Sequence, residues 1–407
     1  MDSKIYTKLS IMMFLQLFVW GAWFVTLGSY LSKIGFSGSE IGTAYLTNNI
    51  GAIIAPLFVG LVADRYFAAE KVMAVLHIIG GVVLYYISDL TTTSAIITGL
   101  LIYNACYMPT IALSNAVSFY QMDRPDEQFP KIRVWGTLGW IVAGLLITFV
   151  LATKIENVEA TSIPMKMAAI ASLILGLYSL SLPTTPPQNK DKKITVGDAL
   201  GFETFALLKD KSFAIFALCS LLISIPLAFY YAFANLFLNE LGMQGVVAKM
   251  SLGQVSEVAF MVLMPFFFRR LGVKWMLFVG MFAWVVRYAL FATGDMDSLS
   301  WMIYAGIILH GVCYDFFFVT GQVYVDKKAD KKIRSSAQGF ISLLTYGVGL
   351  AIGSSLSGRV VDAFSHDGIR DWSSIWMTPA VIAGVVALLF LLTFKENSDK
   401  ENSEKPA

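Results

Sequence analysis

The sequence predicts an all-α membrane protein with twelve transmembrane helices arranged as two six-helix halves. Three observations carry that prediction. Hydrophobic residues make up 57% of the chain and charged residues 14%, with a mean hydropathy of +0.67, whereas soluble domains carry roughly 25% charged residues. Apolar runs of about 20 residues, the length needed to cross a bilayer, recur about twelve times. Lysine and arginine crowd into alternate connections between those runs.

The runs lie at roughly 9–31, 41–63, 70–89, 94–118, 132–152, 165–182, 212–238, 250–268, 274–294, 300–324, 336–363 and 375–394. They are continuous rather than alternating and far longer than a barrel strand, which argues against sheet. The first run follows Lys4 and Lys8, as a signal peptide would. It extends past about 20 apolar residues without a small-x-small cleavage site and reads as a retained helix. One set of connections holds Lys4, Lys8, Arg65, Lys71, Arg124, Lys131, Lys190, Lys192, Lys193, Lys209, Lys211, Arg269, Arg270, Lys274, Lys327, Lys328, Lys331, Lys332 and Arg334. The other holds Lys33, Lys154, Lys166, Lys249 and Arg370. Both termini are therefore expected in the cytoplasm. The longest connection, 183–211, starts Pro-rich and separates a half at 1–182 from a half at 212–394. The tail, 395–407, is charged and expected to be disordered.

Composition also excludes several functions. A net charge of +2 does not point to nucleic acid. Cys106, Cys219 and Cys313 all sit in apolar runs and read as small core residues. No Cys/His metal spacing and no G-x4-G-K-[ST] loop occurs, so neither a cofactor nor ATP use is expected. His77, His310 and His366 fall on separate elements, which argues against an enzyme.

The informative residues are the ionisable ones inside apolar runs. Asp315 stands in the stretch Tyr304–Arg334, before its basic end, with no nearby cation in sequence. A carboxylate at that depth costs at least about 2.5 kcal/mol, which a water-filled path or a substrate normally offsets. Gly311, Phe318 and Gln322 share its helical face. Pairing with an arginine on another helix is the competing reading. Glu257 lies mid-run, with Gln254 one turn earlier and Met261 and Met264 continuing the face. It reads as a cavity carboxylate or as a partner of Arg287. Arg133, Thr137 and Trp140 follow one face of the fifth run, with Arg133 near its cytoplasmic edge. Ser224, Tyr231 and Asn235 do so in the seventh, which Pro226 is expected to bend. Gln16, Trp20 and Trp23 form a possible aromatic wall, and Asn48, Asn49, Asn104 and Asn115 are candidate interhelical hydrogen-bonding residues. Arg359 and Asp362 read as a self-contained pair. His77 and His310 read as core histidines, with a proton relay as the alternative.

Two loops echo each other: Gly60-Leu-Val-Ala-Asp64-Arg65 and Arg269-Arg270-Leu-Gly272-Val-Lys274. With the twelve runs and the long central connection, this resembles the signature loop of the major facilitator superfamily, two six-helix halves around a midplane site. Phe18-Val-Trp20-Gly-Ala-Trp23, Leu27-Gly28-Ser29-Tyr30, Tyr107-Met-Pro-Thr110 and Phe129-Pro-Lys-Ile-Arg133-Val-Trp-Gly136-Thr137-Leu-Gly139 narrow the resemblance. So do Gly253-Gln254-Val-Ser-Glu257, Tyr314-Asp315-Phe316-Phe317 and Arg334-Ser-Ser-Ala-Gln338-Gly339. Together these segments resemble the bacterial nucleoside:proton symporters along nearly the whole chain.

The resemblance implies proton-coupled nucleoside uptake across a bacterial inner membrane by a monomer. A sugar or oligosaccharide:proton symporter is the alternative. It implicates Arg133, Thr137, Gln254, Glu257, Tyr314 and Asp315 in the nucleoside cavity or in transport. Trp140, Tyr231 and Phe318 join them as aromatic candidates, Asp315 and Glu257 as proton-coupling candidates, and Asp64, Arg65, Arg269 and Arg270 as gating-loop residues. Where the best-known members carry Gln and Asn on the seventh helix, this chain has Ala228 and Tyr231. That places it nearer a less characterised branch.

Overall fold

The computed structural model describes residues 2–59, 66–187, 202–330 and 333–395. It is almost wholly helical. The helices are Ser3–Trp23, Leu27–Lys33, Gly38–Phe58, Ala69–Ile87, Thr93–Tyr120, Pro125–Leu146 and Ile163–Ser179 in the first part of the chain. Lys211–Glu240, Val246–Met250, Leu252–Thr293, Ser300–Ile308, His310–Tyr314, Thr320–Lys328, Arg334–Ser342, Leu350–Ala363 and Trp372–Thr393 form the second. Asp210 and Asp371 start two of them by accepting the orphan amides of Phe213, at 2.9 Å, and Ser374, at 3.2 Å.

Among the described residues, nine helical stretches are long and apolar enough to cross a membrane. One of them, Val246–Thr293, is two arms joined at Gly272, whose φ of 68° breaks the helix. A straight helix would hold Gly253 and Arg287 about 50 Å apart. Instead both lie against His310, so the chain doubles back. Gly38–Phe58, with 21 residues, and Ile163–Ser179, with 17, occupy the places expected for the second and sixth runs.

Three differences from the expected helices bear on function. The first run is interrupted between Trp23 and Leu27. Ile147–Leu151, Asp315–Val319 and Leu343–Gly349 are π-helical, the wider winding that accommodates an extra residue. The structure also contains a small antiparallel hairpin where no strand is expected, pairing Ser365–His366 with Ile369–Arg370. Its turn is Asp367-Gly368, both at positive φ, the geometry that suits a two-residue hairpin turn.

The linker expected at 183–211 lies outside the described residues from 188 to 201, and the tail from 396 onward does too. Asp64 and Arg65 also lie outside them.

Candidate functional site

The interior polar residues divide into those that only hold helices together and those left with chemistry to do. Asn49 donates to Ser354 at 3.0 Å and Asn104 to Thr47 at 2.9 Å, the interhelical role expected of them. His77 is satisfied at both nitrogens, 3.0 Å from Ser172 and 3.0 Å from Gln16. Ser224 donates within its own helix to Ser220.

A pocket of about 430 Å³, partly open, lies where the two parts of the chain meet. Trp140, Tyr231, Gln254 and His310 line it, together with Phe24 and Met250. Trp140 meets Trp20 edge-on at 5.7 Å, and Phe24 meets Tyr231 at 5.7 Å. These rings form apolar walls, and Gln254 supplies an amide. Glu257 is one turn further along, half-buried, with His310 Nε2 4.0 Å from its carboxylate. Tyr231, Tyr314 and Arg133 are all within electrostatic reach of Glu257. Arg133 is exposed yet acts on this cluster, and it lies not at the edge of its helix, as expected, but more than two turns inside it, because the helix already starts at Pro125. Thr137 is half-buried one turn beyond it.

Asp315 is fully buried, and among the described residues neither carboxylate oxygen has a hydrogen-bond partner. It therefore neither faces lipid nor pairs with an arginine. It opens the π-helical stretch Asp315–Val319 and interacts electrostatically with Glu257. Phe318, in the same stretch, packs 5.0 Å from Tyr314 and 5.4 Å from Tyr346, and the two tyrosine hydroxyls hydrogen-bond at 2.7 Å. Phe318, Gln322, Gln338 and Tyr346 line a second pocket of about 310 Å³. Gly311, expected on the ligand-facing stripe of Asp315, instead abuts the Ser256–Glu257 backbone.

Several expectations need correction. Arg287 does not reach Glu257: its Nη1 donates to His310 Nδ1 at 3.0 Å, and its plane lies 3.6 Å over the Tyr230 ring. Asp362 does not pair with Arg359. It accepts the backbone amides of Gly38, at 2.6 Å, and Ser39, at 2.8 Å, so it caps the helix Gly38–Phe58. Asn235 does not follow Tyr231 into the pocket; Ser29 donates to it at 2.6 Å. Ala228 is buried against Gly353 rather than lining the pocket. Arg269 and Arg270 are exposed; Arg269 donates to the Pro265 carbonyl and Arg270 lies over the Phe266 ring.

The contacts of Asp362 and Asn235 share one location, the seam between the two parts of the chain. Hydrogen bonds joining the residues before 188 to those after 201 cluster at the end of the bundle away from the termini. Glu159, which no sequence signal marked, is at their centre. It accepts from Asn235 at 2.9 Å, Asn239 at 3.2 Å and the Val247 amide at 3.1 Å. Arg370, placed by the hairpin, donates to Ser32 at 2.9 Å and pairs with Glu240. Close approach makes this seam possible, since a Cβ at Gly42 would strike the Ser354 carbonyl.

Comparison with known proteins agrees with this architecture. A family model described as "Nucleoside H+ symporter" matches residues 3–399. The chain is 42% identical to the Escherichia coli (strain K12) protein named "Putative nucleoside transporter YegT", covering 98% of this chain and 95% of that one. It is 36% identical to the xanthosine permease of the same organism, covering 98% of each. The crystal structure of the nucleoside transporter NupG superposes with a TM-score of 0.88 at 34% identity, over 98% of this chain and 100% of that one. The chain is a member of the nucleoside H+ symporter family, with the all-helical fold of the major facilitator transporters.

Proposed function

We propose that this protein imports nucleosides by proton symport through alternating access. The observation that carries the reading is a fully buried, unpaired carboxylate, Asp315, electrostatically coupled to Glu257 beside an aromatic pocket. A buried carboxylate without a partner is costly as an anion, and a proton removes that cost. Asp315 carries the transported proton. Glu257, nearer the pocket, accepts hydrogen bonds from ribose hydroxyls, Gln254 adds an amide, and Trp140, Tyr231 and Tyr314 flank the base. Arg133 and Thr137 supply charge and a hydroxyl to the same chamber, and Phe318 backs Tyr314.

The halves, 1–182 and 212–394, rock about this site, linked by 183–211, with the tail 395–407 outside the mechanism. The seal at Glu159, Asp362 and Arg370 is the outer gate in its closed position. Asp64, Arg65, Arg269 and Arg270 belong to the loops that rearrange at the opposite face. The protein works as a monomer in a bacterial inner membrane, with both termini in the cytoplasm.

Uptake of a nucleoside panel into proteoliposomes, with and without an imposed pH gradient, tests the reading. Accumulation that follows the gradient and is not competed by sugars is expected. Competition by sugars in place of nucleosides would reassign the substrate.

A further inference from the structure

The seat of His310 contains more information than its neighbours' identities. Arg287 is fully buried, and among the described residues no carboxylate pairs with it. Its Nε and Nη2 have no hydrogen-bond partner. The charge is met by rings instead: Tyr230 at 3.6 Å and Phe291 at 5.7 Å. Among the described residues, its directed hydrogen bond runs from Nη1 to His310 Nδ1, at 3.0 Å, with the Tyr230 hydroxyl and the Cys313 thiol also within its reach.

A guanidinium has only donors and keeps its charge in proteins. The ring nitrogen that faces it must therefore offer a lone pair. The imidazole proton then sits on Nε2. That nitrogen faces the Glu257 carboxylate across 4.0 Å, wider than a hydrogen bond, on the wall of the aromatic pocket. Tyr230, stacked on the imidazole at 5.5 Å, and Tyr314, at 5.9 Å, flank the ring. Neither takes the place of Arg287 at Nδ1.

We propose that Arg287 is a positioning residue that fixes His310 in the Nε2–H tautomer, making His310 a permanent hydrogen-bond donor to a nucleoside in the pocket and not a proton relay. A relay would have to bind a second proton at Nδ1, where a donor already points. The tautomer stands on geometry alone. Its role toward substrate rests on the nucleoside reading above, and the two can fail separately.

Nitrogen-15 NMR of histidine-labelled full-length protein in nanodiscs tests both, with His310 assigned by the signals lost in His310→Asn. Without substrate, the expected spectrum has a protonated Nε2 and a bare Nδ1, unchanged from about pH 5.5 to 8.5, a range that ordinary histidines titrate through. A protonated Nδ1, or conversion to imidazolium in that range, overturns the tautomer. Saturating uridine or adenosine is expected to shift the Nε2 signal. An unmoved signal, with binding shown independently by calorimetry, overturns the donor role. Absence of binding by any nucleoside would instead count against the nucleoside reading. Arg287→Met keeps the volume apolar and is expected to mix the tautomers. It should also raise the KM for uptake about tenfold with little change in maximal rate. An unchanged tautomer in a folded Arg287→Met protein also overturns the proposal, and the wild-type spectrum decides if that variant does not fold.

Discussion

Two histidines show how differently the two parts of this molecule are built. His77 sits in a closed neutral network. Ser172 and Gln16 satisfy its ring, Gln16 donates to Thr110 at 2.8 Å, and Tyr107 donates to the Gln16 carbonyl at 2.6 Å. His310 sits among charges that do not cancel: a buried arginine on one side, Glu257 on the other, and unpaired Asp315 further along the same segment. The first arrangement stabilises a bundle. The second costs stability, since buried polar groups without partners are unfavourable by about 1–3 kcal/mol or more each. Under the proposed function, the difference puts protonation in the second part of the chain, while the first supplies Trp140, Thr137 and Arg133 to the chamber.

Breaking the charged region should have the largest effect. Asp315→Asn should abolish gradient-driven accumulation, a loss of at least about tenfold, while substrate exchange across the membrane persists; normal accumulation would remove Asp315 from coupling. Breaking the neutral network should affect stability instead. His77→Ala leaves the Gln16 side-chain carbonyl unsatisfied and should cost about 1–3 kcal/mol, read as a lower melting temperature in detergent, with KM unchanged. A shifted KM at full stability would show that the two regions are not separate in function.

The seal away from the termini sharpens the comparison through pH. Burial pushes the Glu159 carboxyl above its usual range, against three hydrogen bonds that pull it down. The closed seal thus binds that proton more tightly than an opened, hydrated one. Closure should strengthen as pH falls and weaken as pH rises through the closed-state value. Spin-label distances across the seal would record this, and Glu159→Gln should flatten the dependence. A seal that opens as pH falls would reverse the assignment. The smallest effect is expected at the pocket wall. Tyr231→Asn should change relative uptake of different bases by a few-fold, since one ring contact is worth about 0.5–1.5 kcal/mol. An unchanged profile would mean that this face does not touch the base.

Much of this was legible in the sequence because the bilayer imposes strong constraints. Continuous apolar runs and alternating lysine and arginine leave few arrangements open. Asp315, Glu257 and Gln254 stood out because polar groups are expensive where they sit. Long-range partnerships were not legible. Asp362 looked paired with Arg359 one turn away, yet it caps a helix more than 300 residues earlier in the chain. Glu159 looked like one polar residue among several in a loop, because local sequence does not record which helix ends converge on it. The lone Arg287 was visible, but its choice of His310 over Glu257 depends on the Gly272 reversal bringing both arms of that hairpin against one imidazole. The π-helical winding at Asp315 likewise has no periodic signature.

Symport through this site requires that nucleoside binding and protonation of Asp315 be linked. The most direct measurement is the uptake of protons by the purified protein when saturating nucleoside is added in weakly buffered indicator solution. Proton uptake by the wild type, and its loss in Asp315→Asn, are expected. Binding without proton uptake, or the same uptake in both proteins, would contradict that link.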